Sequence, residues 1–154
     1  MALMVTPAEA LAGTAAVADA RVLGRITIPG RSEQVRVART FAAEILGELA
    51  GLDDGVLHNA MLLTSELVTN AIRHSRSGAA GGSVLLVILQ ASDGIGVEVS
   101  DGGSADGTPV VKADLLTCEG HGLFLVEAVA SHWGYRRAAE DGTTVWFWLD
   151  LSTP

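Results

Sequence analysis

Glu66 and Asn70 stand four residues apart in a stretch with helical apolar spacing, Asp101 leads into Gly102-Gly103 after a β-prone run, and Gly120-His121-Gly122-Leu123 opens another apolar helix. Four residues are about one helical turn, so Glu66 and Asn70 project from one face. Asn offers a neutral carbonyl oxygen suited to Mg²⁺, an ion that keeps waters and takes further ligands from substrate phosphates. Glu66 is then placed to take the proton of a hydroxyl or water attacking a terminal phosphate. The Asp101 carboxylate can accept a hydrogen bond from an exocyclic amine, and the glycines beside it let a flat base approach the backbone. Glycines at a helix start turn N–H groups toward an anion where the helix dipole is positive, so phosphates fit there without a lysine. Singly, these are a solvated helix face, a turn after a strand and a loop before a core helix. Converging, they make a nucleotide site.

Other polar residues are weaker candidates. Arg73 and His74, just beyond Asn70, and His121 can face phosphate, with surface, capping or turn roles as the other reading. His58 and His132 read as surface residues, and Cys118 as an ordinary thiol with no evident base beside it.

The elements that must position these groups follow from periodicity. Val22 to Ile28 is a short strand ended by Pro29-Gly30. Ser32 is the expected cap of a helix striped by Ala38, Phe41, Ala42, Ile45 and Leu49, with Gly51 as its stop. Asp53 or Asp54 caps a second helix striped by Ala60, Leu63, Leu67, Ala71 and Ile72, broken by the glycine-rich stretch 77–82. Val84 to Leu89 and Ile95 to Ser100 flank a hairpin-length turn. The first is continuously apolar, as in a strand covered on both sides; the second alternates. Residues 102–119 read as a connection without period. A third helix is predicted from about Gly122 through Trp133, stopped by Gly134, followed by strands at Tyr135 to Ala138 and Thr143 to Leu149. In the last strand Val145, Phe147 and Leu149 oppose Trp146 and Trp148, so both faces are apolar and one needs a cover from residues 1–20 or a second copy of the chain.

At 154 residues and 49% hydrophobic, the chain fits one domain with a real core, residues 21–154, after a loosely ordered extension over residues 1–20. A formal charge of −8 with ten Lys and Arg argues against direct nucleic-acid binding and favours a basic protein partner. The single cysteine excludes an internal disulfide and suits a cytoplasmic setting. The apolar start lacks the basic residues of a secretory signal and is too short and broken for a membrane span. The element order gives a two-layer α/β (α+β) sandwich with a mixed, mostly antiparallel sheet and helices on one face. No Gly-x-x-x-x-Gly-Lys-Ser/Thr loop occurs, so nucleotide binds by another route than a P-loop.

Four segments, Glu66-Leu-Val-Thr-Asn70-Ala-Ile-Arg-His74, Val97-Glu-Val-Ser-Asp101-Gly-Gly103, Gly120-His-Gly122-Leu-Phe-Leu-Val126 and Gly142-Thr-Thr-Val-Trp146, resemble the GHKL ATPase superfamily with its Bergerat fold. Within it the chain is similar to the small anti-sigma-factor serine/threonine kinase branch, over roughly Arg21 to Leu151. The resemblance implies Mg²⁺ and ATP, with Glu66 as base, Asn70 as metal ligand and Asp101 reading adenine. It further implies that Thr143 assists Asp101, with Thr144 as the register alternative, and that Arg73, Gly103, Gly120, His121, Gly122 and Leu123 border the nucleotide. The implied partners are a sigma factor, which the protein sequesters, and an anti-sigma antagonist, which it phosphorylates on serine. The competing reading is a nucleotide-sensing binding module without kinase activity. Ala105 stands where a second glycine is common in the family, and Phe124 replaces a third glycine of the sensor kinases, which favours the small-kinase branch.

Overall fold

The computed structural model describes residues 20–73, 82–101, 121–137 and 142–151. Its elements run β1 (Arg21–Pro29), a 3₁₀ turn (Ser32–Gln34), α1 (Val35–Gly47), α2 (Asp54–Arg73), β2 (Ser83–Ala91), β3 (Gly94–Ser100), α3 (His121–Val129), β4 (His132–Arg137) and β5 (Thr143–Asp150). The strands form one sheet in the order β1-β2-β3-β5-β4. Every described strand pair is antiparallel, so the sheet is antiparallel throughout rather than mixed.

Sequence periodicity decides which face each side chain meets. On α1 the buried positions are Ala38, Ala42 and Leu46, and on α2 they include Ala60, Leu63, Leu67 and Ala71, rows three or four apart that make one stripe each. These stripes pack on Ile28 of β1, on Val84, Leu86 and Ile88 of β2, on Ile95, Val97 and Val99 of β3 and on Phe147 and Leu149 of β5. The core therefore lies between the sheet and the three helices, the two-layer arrangement expected of the Bergerat fold. Alternation along the strands sends the remaining side chains to the back of the sheet.

Several local boundaries differ from the sequence-based expectation. Ser32 does not cap α1: it opens the 3₁₀ turn, and neither that turn nor α1 has a side-chain cap hydrogen bond. The helix ends at Gly47 rather than Gly51, because the Glu48 and Leu49 amides already bond to Ile45 and Leu46, three residues back. Gly51 supplies the left-handed backbone of the following turn, with φ +80°. Asp53 is the cap of α2, its Oδ1 accepting the Gly55 amide at 2.6 Å. Trp133 and Gly134 belong to β4, not to the third helix, which ends at Val129. Gly134 is a strand residue kept small by its neighbour, since a Cβ there would lie 2.8 Å from Trp146 Cζ2. Ser92 and Asp93 form the two-residue turn between β2 and β3, as the hairpin spacing predicts.

β3 reads as half-buried, yet both of its faces are closed. Trp148 lies over Gly96, where a Cβ would sit 2.5 Å from Trp148 Cε3, and it also crowds Gly94. With Val87, Leu89, Ala91 and Trp146 it forms a second apolar cluster behind the sheet. Glu98 shares that face, opposite Val87 and Trp146, at 2% exposure. Burial there pushes its carboxyl up to about 7, against a smaller opposing pull from Arg136.

Candidate functional site

The end of the β3–β5 ladder carries the acceptor half of the site. Ser100 pairs with Thr144, so the next residues out, Asp101 and Thr143, face each other across the sheet end. They are joined twice: the Asp101 amide donates to the Thr143 carbonyl at 3.0 Å, and the Thr143 amide donates to Asp101 Oδ1 at 3.1 Å. The carboxylate is thus oriented by backbone, and because a carboxylate offers about four acceptor positions, one amide does not exhaust it. The register also separates the two threonines. Thr143 is the cross-strand neighbour of Asp101, whereas Thr144 is fully buried with its hydroxyl 2.8 Å from Ser100 Oγ.

α2 supplies the other half. It packs against β3, β5 and α3, the elements that bear or adjoin the remaining candidate residues. Glu66 is half-buried and Asn70, one turn on, is buried. The Asn70 Nδ2 has no hydrogen-bond partner. A buried amide left unmatched costs about 1–3 kcal/mol, and the amide oxygen and nitrogen exchange places by a half-turn of the side chain. Such a group fits an oxygen ligand for Mg²⁺ that completes its bonding only when an ion and phosphate arrive. Among the described residues no cluster of three or more His, Cys, Asp and Glu could hold a metal by itself. Arg73 is exposed in the last turn of α2, where a cation also suits the negative end of the helix dipole.

His121, Gly122 and Leu123 form the first residues of α3, so this segment does meet the sequence expectation of a helix start. Gly103 and Gly120 lie outside the described residues, as do His74, Ala105 and Cys118. His58 and His132 are exposed.

Sequence reasoning missed Thr64. It is fully buried on α2 between Ala60 and Val68, with its hydroxyl unpartnered. The signal was available, because Thr64 stands four residues after the stripe position Ala60 and three before another, Leu67, and so shares their buried row. A separate open groove of about 400 Å³ between α1 and α2, lined by Arg36, Arg39, Thr40, Ala43, Glu44 and Met61, contains none of the predicted residues.

No helix among the described residues is long and apolar enough to cross a membrane. Comparison with known proteins gives serine-protein kinase RsbW of Listeria monocytogenes serovar 1/2a as a relative, 25% identical over 115 residues, covering 68% of this chain and 73% of that protein. The RsbW proteins of serotypes 4a and 4b match to the same extent. The family model for the histidine kinase-like ATPase domain matches residues 28–149, a span from the end of β1 into β5 that takes in the paired Asp101 and Thr143 and the Glu66–Asn70 helix. The chain belongs to the histidine kinase-like ATPase domain family.

Proposed function

We propose that this protein is an ATP-dependent protein serine/threonine kinase that phosphorylates an anti-sigma antagonist and, in its other partnership, sequesters a sigma factor. The observation that carries the enzymatic part is the buried, unmatched Asn70 amide one turn from a solvent-accessible Glu66. An unmatched amide costs stability in the empty site, and a ligand that completes its bonding offsets that cost. Family membership supports ATP as the nucleotide, and likeness to the RsbW serine-protein kinases supports a protein hydroxyl as acceptor.

In this reading Asp101 accepts from the adenine amine, its carboxylate held by the Thr143 amide. Thr143 assists from the strand end, and Gly103, Gly120, His121, Gly122, Leu123 and Arg73 border the phosphates. Asn70 would hold Mg²⁺, which supplies charge neutralisation on the phosphates. Glu66 takes the proton of the acceptor serine as its oxygen bonds to the terminal phosphorus; the bond to the bridging oxygen breaks and ADP leaves with that electron pair. The phosphoserine then adds about −1.5 to −2 charge to the antagonist and changes what that protein binds. The acidic chain, at −8, suits basic segments of a sigma factor.

Incubation with Mg²⁺, γ-labelled ATP and a candidate antagonist tests the proposal. Label on an antagonist serine, lost in Glu66→Ala with ATP binding kept, supports it. Nucleotide binding without transfer identifies a sensing module instead, and loss of binding in Glu66→Ala contradicts the role given to Glu66.

A further inference from the structure

The groove between α1 and α2 holds none of the nucleotide-site candidates, yet its lining is charged in an ordered way. Along α1, Arg36 and Arg39 come first, Thr40 and Ala43 follow opposite Met61 of α2, and Glu44 comes last. From the helical rise, Arg36 and Glu44 are about 12 Å apart along the axis. Both arginines and Glu44 are exposed. Among the described residues none of these three side chains has an ion-pair or hydrogen-bond partner; the neighbouring ion pair joins Arg31 to Glu33 at 3.9 Å.

These charges run against the helix that bears them. A helix gains from acidic residues in its first turn and basic residues in its last. α1 has neither. Arg36 lies in its first turn and Glu44 in its last, so each opposes the dipole. A local preference broken with no partner inside the fold marks a residue whose use lies outside it. Composition points the same way, because residues 21–40 carry five arginines against one glutamate in a chain of net charge −8. Such a basic island selects an acidic group by charge complementarity.

We infer that this groove docks a segment of a partner protein that is acidic at one end, apolar in the middle and basic at the other. The acidic end meets Arg36 and Arg39, whose guanidinium forks each match a carboxylate. The apolar middle lies on Ala43 and Met61, and the basic end meets Glu44. The Thr40 hydroxyl can donate to or accept from the backbone of the segment. An extended chain covers about 12 Å in about four residues, so the acidic and basic groups of the partner stand about four positions apart. The inference is independent of phosphotransfer and holds for a kinase and for a sensing module alike.

The test is a nitrogen-15 chemical-shift titration of the full-length chain with the end-blocked peptide Glu-Glu-Ala-Leu-Ala-Lys at millimolar concentration. The peptide should shift the Arg36 and Arg39 Nε–H signals and the Ala43 amide. A peptide of the same composition with its lysine between its glutamates should bind at least about fivefold more weakly. The variant Arg36→Glu with Arg39→Glu should bind the first peptide about tenfold more weakly and take Lys-Lys-Ala-Leu-Ala-Lys in its place. Its melting temperature should not fall, because a glutamate in the first turn suits the dipole. Unmoved arginine signals, equal binding of the rearranged peptide, or undiminished binding by the variant would each overturn the docking groove. Inorganic phosphate moving the same signals as strongly as the peptide would overturn it too, making the arginines a simple anion site.

Discussion

Substituting Glu98→Gln removes a charge that the back of the sheet keeps away from water, while preserving shape and a carbonyl acceptor. The Glu98 carboxyl titrates at about 7 instead of 4.5, chiefly through burial. A group whose pKa is raised on folding favours the native state in its protonated form, and that contribution is lost as pH rises through the native value. The full span corresponds to about 3 kcal/mol at 1.36 kcal/mol per pH unit, of which about 2 kcal/mol falls between about pH 5.5 and about pH 8.5. Among the described residues, the charged groups on the face of Glu98 are Arg136 and His132 from β4 and Arg25 from β1, with Asp150 at the exposed end of β5; β2 presents only apolar side chains on that face. The opposing pull of Arg136 is already contained in the value of about 7. Urea unfolding of both proteins across this range should show the wild type losing about 2 kcal/mol relative to Glu98→Gln as pH rises. Stability profiles that stay parallel would refute the water-excluded carboxyl, and a wild type that gains on the variant with rising pH would reverse its sign.

Gly96→Ala places a methyl group 2.5 Å from Trp148 Cε3, so the indole or the strand must shift; urea unfolding should show a loss of about 1–3 kcal/mol. Asp53→Ala removes the 2.6 Å bond to the Gly55 amide and should cost about 1 kcal/mol in the same assay. Asn70→Ala deletes an amide whose Nδ2 has no partner, so unliganded stability should stay within about 1 kcal/mol of wild type while calorimetry shows at least about tenfold weaker Mg²⁺-ATP binding. Asp101→Asn keeps an oxygen for the Thr143 amide but presents a donor in place of acceptor capacity; ATP affinity should fall by about tenfold or more with the β3–β5 amides still protected from exchange.

Local patterns carried most of the fold in legible form. The stripes of α1 and α2 and the two-residue turn at Ser92-Asp93 depend on neighbours three, four or two positions away, so spacing alone reveals them. Trp133 and Gly134 misled because a glycine after an apolar helical run resembles a C-terminal stop, while its actual smallness answers to Trp146 on another strand. Glu98 looked like the solvent side of an alternating strand; its burial depends on what lies behind the sheet, which alternation cannot report. For the site, residue types indicated a nucleotide, but the choice between Thr143 and Thr144 rested on a pairing between residues more than forty positions apart. One rung of register exchanges them, sending one hydroxyl toward Ser100 and placing the other residue beside Asp101.

The two hydrogen bonds between Asp101 and Thr143 make recognition and fraying one event. Ladder ends open more readily than ladder centres, and here the terminal rung also aims the carboxylate proposed to read the base. A ligand that requires the closed rung holds the sheet end shut by mass action, by about 2.7 kcal/mol at a hundredfold excess over its dissociation constant. The Asp101 and Thr143 amides thereby become an occupancy gauge built into the backbone, their exchange slowing about a hundredfold at that excess of ligand.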